Sequence, residues 1–259
     1  MNLLMGLQKY YTKIGNYNFF FKCKYQPGSN EAILFIHGLG CSGDSFINLF
    51  NHDYFPSKSL IVVDLLGFGK SEKPEDFSYS MEDQAKIIEE LLKLLPDWNY
   101  HIAAHSMGGA VALLFQPNTY SRVSSFANIE GNLVPEDCGL LSRGVISVSY
   151  NEYKNDLYKK QLNEFKGHQQ LHFEESTPFA VYKSAVSLVK WSDGGELLEK
   201  FKNLTCRKSY FYGEENKHMP VLEQLGSVPK YMIGKSGHGM MTENPEEFYS
   251  KLAGFIEYQ

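Results

Sequence analysis

The sequence predicts an α/β protein: a mostly parallel, doubly wound sheet of about eight strands, with a helical insertion capping one end. Three observations lead there. Short apolar runs that end in glycine or polar residues alternate with helical patterns. A hairpin precedes that alternation. One long stretch, Leu133 to Gly195, then interrupts it with helix formers and aromatics and no clear strand.

The elements follow in order. "YYTKIGNYNFFFKCKYQPG" reads as the hairpin, with Gly15-Asn16 as its two-residue turn and Pro27-Gly28 closing the second strand. "AILFIHGLG" and "LIVVDLLGFG" are buried strands running into Gly-rich loops. "SMEDQAKIIEELLKLLP" is a helix. Ser80 can cap it, acidic residues fill its first turn, and Ile87, Ile88, Leu91, Leu92 and Leu95 line one face. "YHIAAHS" is the next strand and "GGAVALLFQP" the helix after it. "VSSFANIE", "RKSYFYG" and "PKYMIG" complete the sheet, and "PEEFYSKLAGFIEY" is a final helix. Strands alternating with helices after a hairpin give a sheet covered on both faces. Residues 1–132 and 196–259 then form the core, and residues 133–195 the cap, between the sixth and seventh strands.

Composition narrows the function classes. The chain has 259 residues, 43% hydrophobic and 21% charged, enough for a substantial core. Its formal net charge is −5, and its longest basic cluster is Lys159-Lys160, so no nucleic-acid partner is expected. Four cysteines, Cys23, Cys41, Cys138 and Cys206, form no CxxC pair, which points to a reducing compartment. No run approaches the ~20 apolar residues of a membrane span, and the first residues do not make a signal peptide. A soluble, cytoplasmic protein is the expectation.

Two motifs are decoys. "GFGKS", Gly67 to Ser71, resembles the end of a phosphate-binding loop, but Asp64 stands where that loop requires a glycine. His168 and His172 are four residues apart without an HExxH pattern, so no metal site is expected.

"AHSMG", Ala104 to Gly108, approximates the nucleophile elbow G-x-S-x-G, with alanine for the first glycine. The sharp turn brings neighbouring backbone close, so small residues are needed two before and two after the serine. Alone the pattern is weak. It gains weight by ending an apolar strand and opening a helix. "FIHGLG", Phe35 to Gly40, ends an earlier strand with a loop able to aim a backbone N–H at a developing oxyanion. "GKSGHGMM" puts His238 on a Gly-flanked loop after the last strand.

With "HGLG", "DLLGFGKS", "AHSMGG" and "SGHG" in this order, the chain resembles the α/β-hydrolase superfamily over nearly its whole length. The resemblance implies Ser106 as nucleophile, His238 as general base, and the N–H groups of Leu39 and Met107 as the oxyanion hole. It implies a helical cap over the site, with substrate-binding residues between Leu133 and Gly195, and it makes Asp64 a loop-structuring residue. Cys41 is expected to pack rather than react. The usual place for the triad acid, three residues after the glycine of "YFYGEENKH", holds Asn216, which carries no charge. Some relatives place the acid one strand earlier, where this chain has Glu130. We favour Glu130, with Glu215 or Glu214 as alternatives, or no acid at all. The activity implied is hydrolysis of a small or medium carboxylic ester, lactone or thioester through an acyl-enzyme, with no metal or organic cofactor. Relatives that act on epoxides or haloalkanes carry an aspartate at the elbow, so Ser106 argues against both. C–C bond hydrolysis, aminopeptidase and haloperoxidase-like activity share the triad. So does, in another class, a non-catalytic ligand receptor with this fold.

Overall fold

The computed structural model describes residues 7–165 and 172–257. His168 lies outside them. Among the described residues eight strands form one sheet: β1 (Gln8–Ile14), β2 (Tyr17–Lys24), β3 (Glu31–Ile36), β4 (Ser59–Asp64), β5 (Asn99–His105), β6 (Val123–Ile129), β7 (Arg207–Gly213) and β8 (Lys230–Ile233). Their spatial order is β1-β2-β4-β3-β5-β6-β7-β8. The β1–β2 hairpin turns at Gly15, whose φ of +59° suits a two-residue turn, and β2 joins β4 antiparallel. All later neighbours are parallel. The expected sheet is present, strand for strand.

The strands sort their side chains with period two. Ala32, Leu34 and Ile36 of β3 join one buried cluster, while Ile33 and Phe35 join the other. In β4, Ile61 and Val63 face the first cluster, and Leu60 and Val62 the second. Helix α1 (Met81–Leu94) covers the first face with Ile88 and Leu91. Ser80 caps it by accepting from the Asp83 N–H at 3.1 Å. Helix α2 (Met107–Ala112) lies on the same face. The second face is covered by a 3-10 helix, Gly43–Phe50, through Phe46 and Leu49, and by the C-terminal helix Pro245–Glu257 through Phe248 and Leu252.

Helix α2 is shorter than its sequence suggests. It ends at Ala112, and the N–H groups of Leu114 and Phe115 bond three residues back, to Val111 and Ala112. That tighter geometry closes the helix before Pro117, which has no N–H to continue it. The 3-10 helix after β3 has no counterpart in the periodicity reading, because its buried face is only four residues: Gly43, Ser45, Phe46 and Leu49.

Between β6 and β7 the described chain is helical: Leu140–Ile146, a stretch from 150 to 164 with a π-helical turn at Tyr153–Leu157, helix α3 (Pro178–Gly194) and Glu196–Asn203. Helix α3 carries its boundaries in sequence. Thr177 accepts from the Ala180 N–H, Pro178 sits in the first turn, and Gly195 ends it with φ of +74°. It packs beside the loop after β4, where a Cβ on Gly67 would lie 2.4 Å from that of Ala180. Among the described residues, no helix is long and apolar enough to cross a membrane.

Candidate active site

In this strand order β3 and β5 are neighbours, yet β4 lies to one side of β3 and β6 to the far side of β5. The chain changes direction between them, and loops leaving the carboxyl ends of two such strands diverge to leave a crevice. The His37–Gly40 loop leaves β3 there, and Ser106 leaves β5.

Ser106 has φ 51° and ψ −121°, a conformation that costs an L-residue on the order of 1–3 kcal/mol. Its backbone is pinned on both sides. The Ser106 N–H donates to Ile129 O at 3.0 Å, and its carbonyl accepts from Gly109 N at 2.9 Å. Small neighbours make the turn possible. A Cβ on Gly108 would lie 2.6 Å from Ile36 O, and one on Gly109 would lie 2.9 Å from the Gly131 Cα. Met107 is the first residue of α2, so its N–H belongs to the turn that has no intrahelical acceptor.

The loop after β3 approaches this turn closely. A Cβ on Gly38 would stand 2.9 Å from the Ser106 Cβ. Gly38 O accepts from Cys41 N at 3.2 Å, and Gly40 between them has φ of +67°, the glycine position of a type II turn. Leu39 occupies the preceding corner, where its N–H is not used by the turn's own bond. His37 sets the loop's orientation. Its Nδ1 donates to Gly38 O at 2.8 Å, and its Nε2 accepts from Leu65 N at 3.0 Å. Complete burial pushes this imidazole down to about 4, so it is neutral at physiological pH.

His238 follows β8. Its Nδ1 lies 2.6 Å from Oε2 of Glu130, whose side chain is 1% exposed against 54% for the histidine. Glu130 follows β6 directly and has φ of 41°. Its N–H donates to Phe211 O, and its Oε1 accepts from Gly213 N at 2.8 Å. A buried carboxylate is costly unless its oxygens are occupied, and these are.

The structure thus brings together His238 and Glu130. It sends the other candidate acids elsewhere. Glu214 Oε2 accepts from the Lys235 N–H, and Glu215 is exposed, near Gly237. Asn216, in the usual acid position, donates from Nδ2 to both Glu130 oxygens, at 3.0 and 2.9 Å. Asp64 holds loops: Oδ1 accepts from Gly43 N at 2.7 Å and Oδ2 from Lys70 N at 2.8 Å. Burial pushes the Cys41 thiol up to about 11, which leaves it protonated and unreactive at neutral pH. His172 shares a hydrogen bond of 2.8 Å with Ser42 Oγ. Among the described residues, no group of three His, Cys, Asp or Glu side chains could hold a metal.

Two residues near the site were not legible as such in the sequence. His105 precedes Ser106, and its Nε2 donates to the backbone carbonyl of His238 at 2.9 Å, with the two rings 4.5 Å apart. The histidine loop is therefore tied to the elbow itself. Burial and the neighbouring His238 push the His105 imidazole well below its usual range, so it stays neutral. Phe173 lies on Gly40, where an added Cβ would come within 2.8 Å of its ring. It falls within the stretch from Leu133 to Gly195 expected to hold substrate-binding residues, but no motif singles it out; it packs on Tyr158 and Phe165 with ring centroids 4.9 and 5.0 Å away.

A second Ser-His-Glu set marks the limits of composition. Ser125 Oγ lies 2.7 Å from His101 Nδ1, and Glu31 Oε1 lies 3.3 Å from His101 Nε2. Ser125 is fully buried at the other end of the strands, and Lys58 holds Glu31 in an ion pair. It has no strained turn and no access.

The comparisons with known proteins agree with this architecture. An uncharacterized hydrolase, YugF, of Bacillus subtilis is 24% identical over 90% of this chain and 92% of its own length. A 2-hydroxy-6-oxo-6-(2'-aminophenyl)hexa-2,4-dienoic acid hydrolase of Metapseudomonas resinovorans is 26% identical over 89% of this chain and 86% of its own. Among solved structures, the N-acyl homoserine lactonase AidH superposes with a TM-score of 0.75 at 17% identity, covering 97% of this chain and 96% of that one. The family model described as the alpha/beta hydrolase fold matches residues 31–170, more than half of the sequence. This chain belongs to the α/β-hydrolase family.

Proposed function

We propose that the protein is a serine hydrolase of small or medium carboxylic esters, lactones or thioesters, with Ser106, His238 and Glu130 as its triad. The observation that carries this reading is the bond between His238 and the buried Glu130, on a loop that His105 ties to the elbow beside Ser106. With Nδ1 committed to Glu130, Nε2 is the nitrogen left for Ser106. His238 takes the Ser106 hydroxyl proton as the oxygen attacks the acyl carbonyl. The N–H groups of Leu39 and Met107 receive the oxyanion, since neither is taken up by the turn's own bond or by the helix. Nε2 then returns the proton to the departing alcohol, or to the thiolate of a thioester. Water releases the acyl group by the same path in reverse.

The helices between β6 and β7 act as a cap in this reading, and Phe173 on Gly40 supplies an apolar wall for the acyl portion. The partner is a small-molecule acyl substrate, and the expected compartment is the cytoplasm. A panel of p-nitrophenyl esters, lactones and acyl thioesters of graded chain length tests the assignment, with Ser106→Ala as control. The expected result is turnover of at least one class that disappears in Ser106→Ala. Turnover that persists in the variant would refute it. A carbon–carbon bond substrate belongs in the same panel, because the dienoic acid hydrolase matches over most of both chains.

A further inference from the structure

We propose that Asn216 is a positioning residue that holds the acid of this site, and that the 130–216 pair is an exchangeable acid–amide couple. This rests on the serine-hydrolase reading above. A carboxylate accepts about four hydrogen bonds and donates none. Glu130 has four such contacts: Gly213 N and Asn216 Nδ2 at Oε1, and Asn216 Nδ2 and His238 Nδ1 at Oε2. Two of these contacts come from the one amide nitrogen of Asn216, an N–H shared between the two oxygens. It fixes the rotation of the carboxyl group, so that Oε2 points at His238 Nδ1 and Oε1 at Gly213.

The geometry calls for an uncharged donor at position 216. A carboxylate at position 216 would set two anions within about 3 Å, and an apolar side chain would leave both Glu130 oxygens short of a donor. The β7 end also makes the position rigid. The three residues Glu214–Asn216 form a single 3-10 turn directly after Gly213. Gly213 itself admits no side chain, since a Cβ there would lie 2.3 Å from Gly237 O on the histidine loop. The strand end, the amide and the histidine loop are thus packed as one unit.

An acid–amide pair can be inverted without changing its total charge or its set of functional groups. In Glu130→Gln/Asn216→Asp, the carboxylate at position 216 would accept from the new amide nitrogen at position 130. That locks the amide oxygen at position 130 toward His238 Nδ1–H, with the negative charge one amide away and polarising it. Glu130→Gln alone has the same oxygen but neither the lock nor the charge. Recovery is partial, because the Gly213 N–H then faces an amide nitrogen.

The test is kcat and KM on one turned-over ester for four variants. Asn216→Leu, which removes the donor at similar volume, is expected to lower kcat by about tenfold or more with KM within about twofold, the signature of a loss felt in the transition state. Glu130→Gln/Asn216→Asp is expected to be at least about tenfold more active than Glu130→Gln, whereas Asn216→Asp alone falls below wild type. Asn216→Leu within about twofold of wild type overturns the proposal. So does a double variant no better than Glu130→Gln, which is isosteric and does not depend on Asn216→Leu folding. Near-full activity of Glu130→Gln is a different failure: it removes Glu130 from the triad, and with it the reading on which this inference stands.

Discussion

The Nδ1 of His238 and the Oε2 of Glu130 lie 2.6 Å apart, although 108 residues separate them in the chain. The pair joins an exposed imidazole to a carboxylate that solvent does not reach. Charge-assisted bonds of this length fix the ring's tautomer and rotation together. Glu130→Gln keeps the shape and removes the charge. We expect kcat/KM to fall on the order of 10⁴-fold, the loss seen when a triad acid becomes an amide, with little change in KM. A loss under about tenfold would move the acid elsewhere.

Gly38, in the loop after β3, lies close against the serine. A methyl group there meets the Ser106 Cβ at 2.9 Å and His105 Nδ1 at 3.0 Å, and neither can retreat, since both residues are held by the elbow. Gly38→Ala is expected to lose on the order of 10²-fold in kcat/KM through displacement of the loop. Its stability should fall by about 1–3 kcal/mol, as for other overpacked sites. Steady-state kinetics and thermal melting of the purified variant measure both.

His37 makes a pH prediction with a definite sign. Its imidazole is held neutral down to about 4 in the fold, against 6.5 when exposed. Between these values the unfolded chain binds a proton that the folded chain does not, so this residue's contribution to stability falls as pH falls. The full difference is about 3 kcal/mol, complete near pH 4. His37→Asn removes the titration. Its stability deficit relative to wild type should therefore shrink as pH falls from about 7.5 to about 5 in urea unfolding. A deficit that stays constant contradicts this account.

Phe173 covers Gly40 and packs on Tyr158 with ring centroids 4.9 Å apart. Phe173→Ala empties that space. A loss of about 3 kcal/mol is expected for a fully buried ring, with a gain in relative kcat/KM for longer acyl chains over acetyl. Unchanged chain-length preference would place the acyl portion away from this wall.

The sheet was legible because burial on two faces gives apolar runs with sharp polar ends, and each strand end carried its own marker. Gly38 and Gly40 after β3, Ser106 with Gly108 and Gly109 after β5, and His238 between two glycines after β8 are all local patterns. The acid was not local. Whether Glu130, Glu214 or Glu215 meets His238 depends on how far β6 and β7 extend side by side and which way each chain turns on leaving. Asn216 could be read only as a missing charge. Its bonds to both oxygens of Glu130 exist because the ends of β6 and β7 are neighbours in the sheet, 86 residues apart in sequence. His105 was hidden for a similar reason: its partner is a backbone carbonyl, which carries no sequence mark.

The proposed chemistry turns on Ser106 being the activated nucleophile. The decisive measurement is intact-mass and peptide analysis after treatment with a fluorophosphonate, on wild type and Ser106→Ala with folding confirmed for both. The expected result is one adduct on wild type, located to Ser106, and none on the variant. Absence of an adduct on folded wild type, or an adduct that persists in Ser106→Ala, would show that Ser106 is not the nucleophile.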